Sequence, residues 1–332
     1  MVISSGNNSM KNLIKTQHGE ALLYFTLIVF INLTVLSIII IGIGLGIKGY
    51  ISDTRFAYEA VTCCGSICLK CFFTLRTFFT ILPWCCVVML FIGIGMAARK
   101  TILMLSWNYR FIRPITPTSF ETHPKLKKIL PAMNLYGQLV LLDNNKLHCA
   151  FTLGLWKPKI YVSSGICSYL SRKELIAVIF HETHHKKSKD PLKLFVVQIL
   201  HALNYFLPIN RYLIKQYSSA SEKAADDSAI NFSREPLALA SALVKLSKFK
   251  LMDMLSPSAA FSKEQNIVED RISRLLEIQI PPPCFCKTYV YFSCIMSLFV
   301  AAVIYLSLFS KSFNHTHTIE CKTRACNVAK CG

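Results

Sequence analysis

The chain has 332 residues, 53% of them hydrophobic and only 17% charged, with a positive mean hydropathy. That is too apolar and too poor in charge for an ordinary soluble protein. Its 37 Lys and Arg outnumber 18 Asp and Glu, but no DNA- or RNA-binding motif accompanies them, so nucleic-acid recognition is set aside and anionic lipid is the simpler partner.

Residues 1–20 read as a cytoplasmic tail. Ala21 to Ile47 runs 27 residues without a charge, enough to cross a hydrocarbon core of about 30 Å with tilt. The run is too long for a signal-peptide h-region and no small-residue cleavage pattern follows it, so it reads as a retained anchor. Residues 48–76 then form a loop holding Cys63, Cys64, Cys68 and Cys71, and Thr77 to Ala98 is a second charge-free span. Arg99, Lys100, Arg110 and Arg113 follow that span closely, and Lys287 precedes a third, Tyr289 to Phe309. The positive-inside rule therefore puts residues 99–288 in the cytoplasm, and the 48–76 loop and the 310–332 tail outside. Cys321, Cys326 and Cys331 share that outer side with the loop cluster, where disulfides persist. The seven are odd in number, which leaves one thiol over or paired between chains, as in a homodimer. Cys85, Cys86 and Cys294 fall inside spans and read as packing residues.

Residues 99–288 are the one stretch long enough for a soluble core. A Pro-punctuated connector at Pro114, Pro117 and Pro124 leads to short β-prone runs at Gln138 to Leu142 and Lys159 to Val162. These predict a strand pair, with a turn-like Thr152-Leu153-Gly154 between them. Ser171-Arg172-Lys173-Glu174 is a capping-box pattern that predicts the start of a helix, which Pro191 would end. Leu194 to Leu207 is apolar but too short to cross a bilayer, which suits a re-entrant, interfacial or hairpin segment. Ser219 to Asn231 and Leu237 to Phe249 read as further helices. The predicted fold class is thus a mainly α membrane protein, in which transmembrane helices flank an α+β domain with a small β-sheet.

The capped helix carries His181-Glu182-Thr183-His184-His185. HExxH spacing puts His181 and His185 one turn apart on one helix face, where both imidazoles can reach one zinc ion, with Glu182 beside them as general base. Such a site needs a third protein ligand and a position for water. Glu222 is the candidate, because Glu222 and Asp226 form an ExxxD pair on one helix face: Glu222 can bind metal while Asp226 accepts the free ring N–H of a ligating histidine. The competing role for Glu222 is to cap a helix through Ser219-Ala220-Ser221-Glu222. His184 lies off the ligand face and reads as a substrate-side or structural residue, and His148 and His201 as non-ligands. Asp227 is turned away from Glu222. The oxyanion stabiliser has no clear signal; His184 and Arg271 are the candidates for transition-state contacts.

These blocks carry a resemblance. Ala150 to Gly154, Pro158 to Gly165, Glu174 to Val178, His181 to His185 and Asp190-Pro191-Leu192, extended by Glu222 to Asp226 and Arg271 to Leu275, resemble the signature blocks of the BlaR/MecR-type antirepressor metallopeptidases over roughly residues 99–310. The resemblance implies a gluzincin in the bacterial cytoplasmic membrane: a multi-pass zinc endopeptidase, one zinc per chain on His181, His185 and Glu222, that cleaves itself and a cytoplasmic transcriptional repressor of the winged-helix type. Only residues 311–332 follow the third span, so the penicillin-binding sensor domain of the antibiotic receptors is expected to be missing. Two other functions share part of the signal. An HtpX- or CAAX-prenyl-protease-like quality-control enzyme also combines HExxH with ExxxD, and a non-catalytic membrane receptor could use the metal structurally, though it would not need Glu182.

Overall fold

A computed structural model describes residues 17–44, 66–112, 123–133, 135, 137–247, 265–276, 288–299, 301, 302 and 305. The elements in order are α1 (Gln17–Gly44), α2 (Ser66–Ile112), α3 (Pro124–Met133), β1 (Leu139–Leu142), β2 (Ala150–Leu153), β3 (Lys159–Ser163), α4 (Ser164–Tyr169), α5 (Arg172–Ser188), α6 (Asp190–Leu203), α7 (Ile209–Ser233), α8 (Pro236–Ser247), α9 (Gln265–Leu275) and α10 (Thr288–Phe299). The chain is thus mostly helical with one small sheet. It divides into two compact units: Met1–Val29, Arg99–Leu200 and Asn210–Phe285 form the first, and Phe30–Ala98, His201–Ile209 and Cys286–Gly332 the second.

In the first unit the sheet is mixed, in the order β1-β3-β2, with β1 parallel and β2 antiparallel to β3. Two of these strands match the expected pair. The third, β2, occupies the stretch that reads as a turn, because Ala150 to Leu153 finds the free side of β3 and the bend is postponed to Gly154, whose φ of 115° an L side chain rarely adopts. Central β3 is buried from Ile160 onward.

Helix α5 lies between two apolar clusters, which accounts for its nearly unbroken apolar N-terminal half. Leu175, Val178 and Ile179 pack with Leu139, Leu141, Ile160 and Val162 of the sheet. Ala177 and Phe180 pack with Ala229 of α7, Leu239 and Ala240 of α8, and Leu275 of α9. Ala224, Ala225 and Ala229 are buried along α7, small side chains that let helices approach closely. Each fully buried Leu or Ile contributes about 1.5–3 kcal/mol.

The expected capping box is present: Ser171 Oγ accepts from the Glu174 N–H at 3.3 Å, and Glu174 Oε2 accepts from the Ser171 N–H at 2.8 Å. Glu174 does more than cap, since Oε1 also accepts from Ser241 at 2.6 Å and Lys245 at 2.7 Å, which ties α8 to the start of α5. The other end of α5 differs from expectation. Lys189, not Pro191, stops the helix, by taking a left-handed conformation (φ 53°) and donating its N–H to the carbonyls of His185 and Lys186; Pro191 sits in the first turn of α6.

Two helical stretches, Gln17–Gly44 and Trp84–Arg110, are long and apolar enough to cross a membrane by length and composition, and α10 is a shorter apolar helix. They overlap all three expected spans. Helix α2 begins at Ser66, inside the stretch expected as an external loop. Cys63, Cys64, Cys321, Cys326 and Cys331 lie outside the described residues, as do the side chains of Cys68 and Cys71; Cys85, Cys86 and Cys294 are free thiols. Within the second unit, the Asn204 amide donates to Asn32 Oδ1 at 2.9 Å and to the Asn32 carbonyl at 3.2 Å, a buried polar pair among apolar helices. A Cβ on Gly93 would collide with the Leu203 carbonyl.

Burial pushes the Glu174 carboxyl up, but its bonds to Lys245, Ser241 and Ser171 outweigh that and hold it at about 2. A depressed folded-state pKa stabilises the fold above the unfolded pKa of about 4.5 and loses that contribution as pH falls toward 2. Glu174→Gln is therefore expected to cost about 2–3 kcal/mol at pH 7. Thermal unfolding in detergent at pH 7 and pH 3 measures it, and the gap between variant and wild type should narrow at the lower pH.

Candidate metal centre

The capped start of α5 sets the rotation of its last two turns, and with it the HExxH face. His181, Glu182 and Thr183 are buried, and the His185 side chain is 13% exposed. His181 Nε2 and His185 Nε2 lie 3.1 Å apart. Glu222 arrives from α7, with Oε2 3.5 Å from His181 Nε2 and Oε1 3.6 Å from His185 Nε2. Ser219 to Glu222 lie well inside α7, so the capping alternative for Glu222 is overturned.

Both far ring nitrogens face carboxylates. His181 Nδ1 is 3.0 Å from Asp226 Oδ1, close but bent away from ideal hydrogen-bond alignment. His185 Nδ1 is 2.7 Å from Asp190 Oδ2. The expected partner Asp226 is joined by a second, Asp190, which reading the sequence missed. Asp190 follows Lys189 directly, so the left-handed turn there swings it back under His185, and Ser221 Oγ donates to the same Oδ2 at 2.9 Å. The signal was present in the Asp190-Pro191 start of a new helix, but nothing in the sequence shows a left-handed lysine.

These contacts decide what the triad can hold. If both Nδ1 atoms donate their protons to Asp226 and Asp190, both Nε2 atoms carry lone pairs, and these point toward each other and the Glu222 carboxylate. In that state a cation held between them offsets their mutual repulsion, and without a metal ion a proton on one Nε2 serves, since the two nitrogens are at hydrogen-bond distance. One donor atom from each of His181, His185 and Glu222 lies within 4.8 Å of the others. The separations of 3.1 Å between the two Nε2 atoms, 3.5 Å from His181 Nε2 to Glu222 Oε2 and 3.6 Å from His185 Nε2 to Glu222 Oε1 are close to the spacing of about 3.3 Å between donors about 2.0–2.1 Å from one tetrahedral ion. The field agrees. Burial opposes charge on His181, yet the Asp226 and Glu222 carboxylates beside it outweigh that and raise the imidazole to about 10. Burial likewise pushes Asp226 and Glu222 up, but Arg271 and His181 hold Asp226 at about 2 and Glu222 well below the carboxylate range. A divalent ion placed here would displace the imidazole protons.

Glu182 stands beside the triad and is held from the sheet. Thr152 Oγ1 lies 2.9 Å from both the Glu182 carbonyl and Glu182 Oε2, sharing its one proton between them and leaving Oε1 free. Thr152 had been placed in a turn, which hid this role. His184 is off the ligand face as expected, 3.2 Å from Ser188 Oγ and edge-on to His18 with ring centroids 5.8 Å apart. Arg271, a candidate transition-state contact, is placed instead on the Glu222 and Asp226 carboxylates. Asp227 pairs with Arg274 at 2.5 Å, turned from the triad as expected. His148 lies by Tyr169, outside the triad, and His201 belongs to the second unit.

The two HExxH histidines and the α7 carboxylate thus form a donor set able to hold a metal ion. The family model described as BlaR1 peptidase M56 matches residues 74–275, more than half of the chain, and the chain belongs to that family. No curated protein matches it.

Asp190→Ala should weaken divalent-metal binding by about 10- to 100-fold through loss of His185 orientation. Titration against a chromophoric chelator measures this; an unchanged affinity would leave Asp190 without a role at the metal.

Proposed function

We propose that this chain is a membrane-embedded zinc endopeptidase that hydrolyses a peptide bond of a cytoplasmic protein. The observation that carries this is the convergence of His181, His185 and Glu222 with Glu182 alongside. Two imidazoles and one carboxylate close to tetrahedral spacing suit zinc, and three protein donors among the described residues leave a coordination position open, which speaks against a purely structural metal. When bound, zinc polarises the scissile carbonyl and acidifies the attacking water.

The chain's own residues supply the rest. Glu182 takes the water proton on Oε1, because Thr152 occupies Oε2, and then returns it to the leaving amine. Asp226 and Asp190 keep the imidazoles turned with Nε2 inward. A peptide has a rail to lie on. The Ile160 N–H donates to the Gln138 carbonyl on the β1 side, so its register partner Thr152 turns its backbone N–H and C=O to the outer edge of β2. An extended substrate pairing with that edge would pass directly over Glu182.

Large apolar side chains on the two long helices and on α10 support the bilayer setting: Phe30, Phe91 and Leu298 are 70%, 68% and 68% exposed. The basic residues flanking the spans favour a cytoplasmic catalytic face. Within the family's resemblance, the substrate class is a transcriptional repressor or the protease itself.

Glu182→Gln should retain zinc and lose about 10²- to 10⁴-fold in cleavage of casein or of the chain itself, whereas Glu222→Ala should lose zinc. Metal analysis together with a gel assay on protein purified in detergent tests both. Equal cleavage by wild type and Glu182→Gln would overturn the catalytic assignment.

A further inference from the structure

Arg271 is a buried cation, 8% exposed, in a place where the metal chemistry gives no obvious reason for one. It comes from α9, far along the chain from every other site residue. Its Nη1 lies 2.6 Å from Glu222 Oε2, while Nε and Nη2 donate to Asp226 Oδ2 and Oδ1 at 2.8 and 2.7 Å. One planar fork thus spans two carboxylates a helical turn apart, which a lysine ammonium cannot do with the same geometry.

The consequences reach both imidazoles. With Oε2 held by Arg271, Glu222 presents Oε1 on the side of His185, 3.6 Å from its Nε2. With both oxygens held, Asp226 is fixed so that Oδ1 stays 3.0 Å from His181 Nδ1. The guanidinium therefore sets the side-chain conformation of one donor and of the group that orients another. Helix α9 does not depend on Arg271 for its seat. Arg274 pairs with Asp227 at 2.5 Å, Lys223 with Asp270 at 2.8 Å, and Leu275 packs in the cluster with Ala177, Ala229 and Leu239.

We propose that Arg271 is a positioning residue of the metal centre, delivered by α9, which locks Glu222 and Asp226 in the poses that zinc binding requires. The proposal rests on the metallopeptidase assignment. Its role is geometric rather than a matter of charge balance alone, and that distinction can be measured.

The experiment uses the full chain in detergent micelles. Zinc affinity is read by competition with a chromophoric chelator for wild type, Arg271→Ala, Arg271→Lys and Arg274→Ala, with and without added methylguanidinium. Arg271→Ala and Arg271→Lys should each bind zinc about 10- to 100-fold more weakly, as loss of an outer partner does at metal sites. Methylguanidinium should restore much of the Arg271→Ala affinity, and Arg274→Ala should bind as wild type does. Wild-type affinity in Arg271→Ala would overturn the proposal. So would wild-type affinity in Arg271→Lys, which would leave charge alone as the function, or an equal loss in Arg274→Ala, which would mean general loosening of α9. Failure of the wild-type chain to bind zinc is a separate result that overturns the metallopeptidase assignment and this proposal with it.

Discussion

Two imidazoles and a carboxylate that converge at this spacing must share a positive charge, a proton or a metal ion, and this constraint organises the first unit. His181 and His185 bring their Nε2 atoms to 3.1 Å, and each ring's other nitrogen faces a carboxylate able to hold a proton there once a metal ion takes the Nε2 side. Asp226 and Asp190 thus make two histidines into two metal donors. Each carboxylate is itself supported, Asp226 by Arg271 and Asp190 by Ser221. Buried carboxylates left without such partners would simply take up protons, and the site would lose its pull on metal.

Holding these groups within a few tenths of an ångström requires a stiff frame. Helix α5 gains it by being enclosed: the sheet covers one side and α7, α8 and α9 the other. Alanines along α7 admit the close approach that carries Glu222 to the histidines. The Glu174 cluster fixes the beginning of α5, and the Lys189 turn fixes its end and places Asp190. The sheet adds Thr152, so Glu182 and the candidate metal donors are positioned from different elements.

What could be read in the sequence was what is local. The capping box, the HExxH face and the Glu222 and Asp226 pair each lie within one or two helical turns, where spacing translates directly into geometry. What could not be read depends on chain reversal or on distant docking. Asp190 needed a left-handed lysine, a conformation that residue identity does not announce. Thr152 was hidden because β2 exists only through pairing with β3, and tertiary pairing overrides the turn-like Leu153-Gly154. Arg271 belongs to a block the sequence singles out, but its contacts with Glu222 and Asp226 could not be read, since nothing local shows that α9 lies against α7. The two helices long and apolar enough to cross a membrane were legible from charge-free length alone, whereas the start of α2 at Ser66 was not, because Lys70 and Arg76 interrupt the apolar run.

Membership of the BlaR1 peptidase M56 family and the carboxylate-supported triad support the central proposal, a single zinc held by nitrogen and oxygen donors. The chain also carries fourteen cysteines, a rival set of metal donors. Zinc K-edge X-ray absorption on the purified protein separates the two. The account predicts a first shell of nitrogen and oxygen at about 2.0–2.1 Å with imidazole scattering beyond it, whereas sulfur at about 2.3 Å would contradict it.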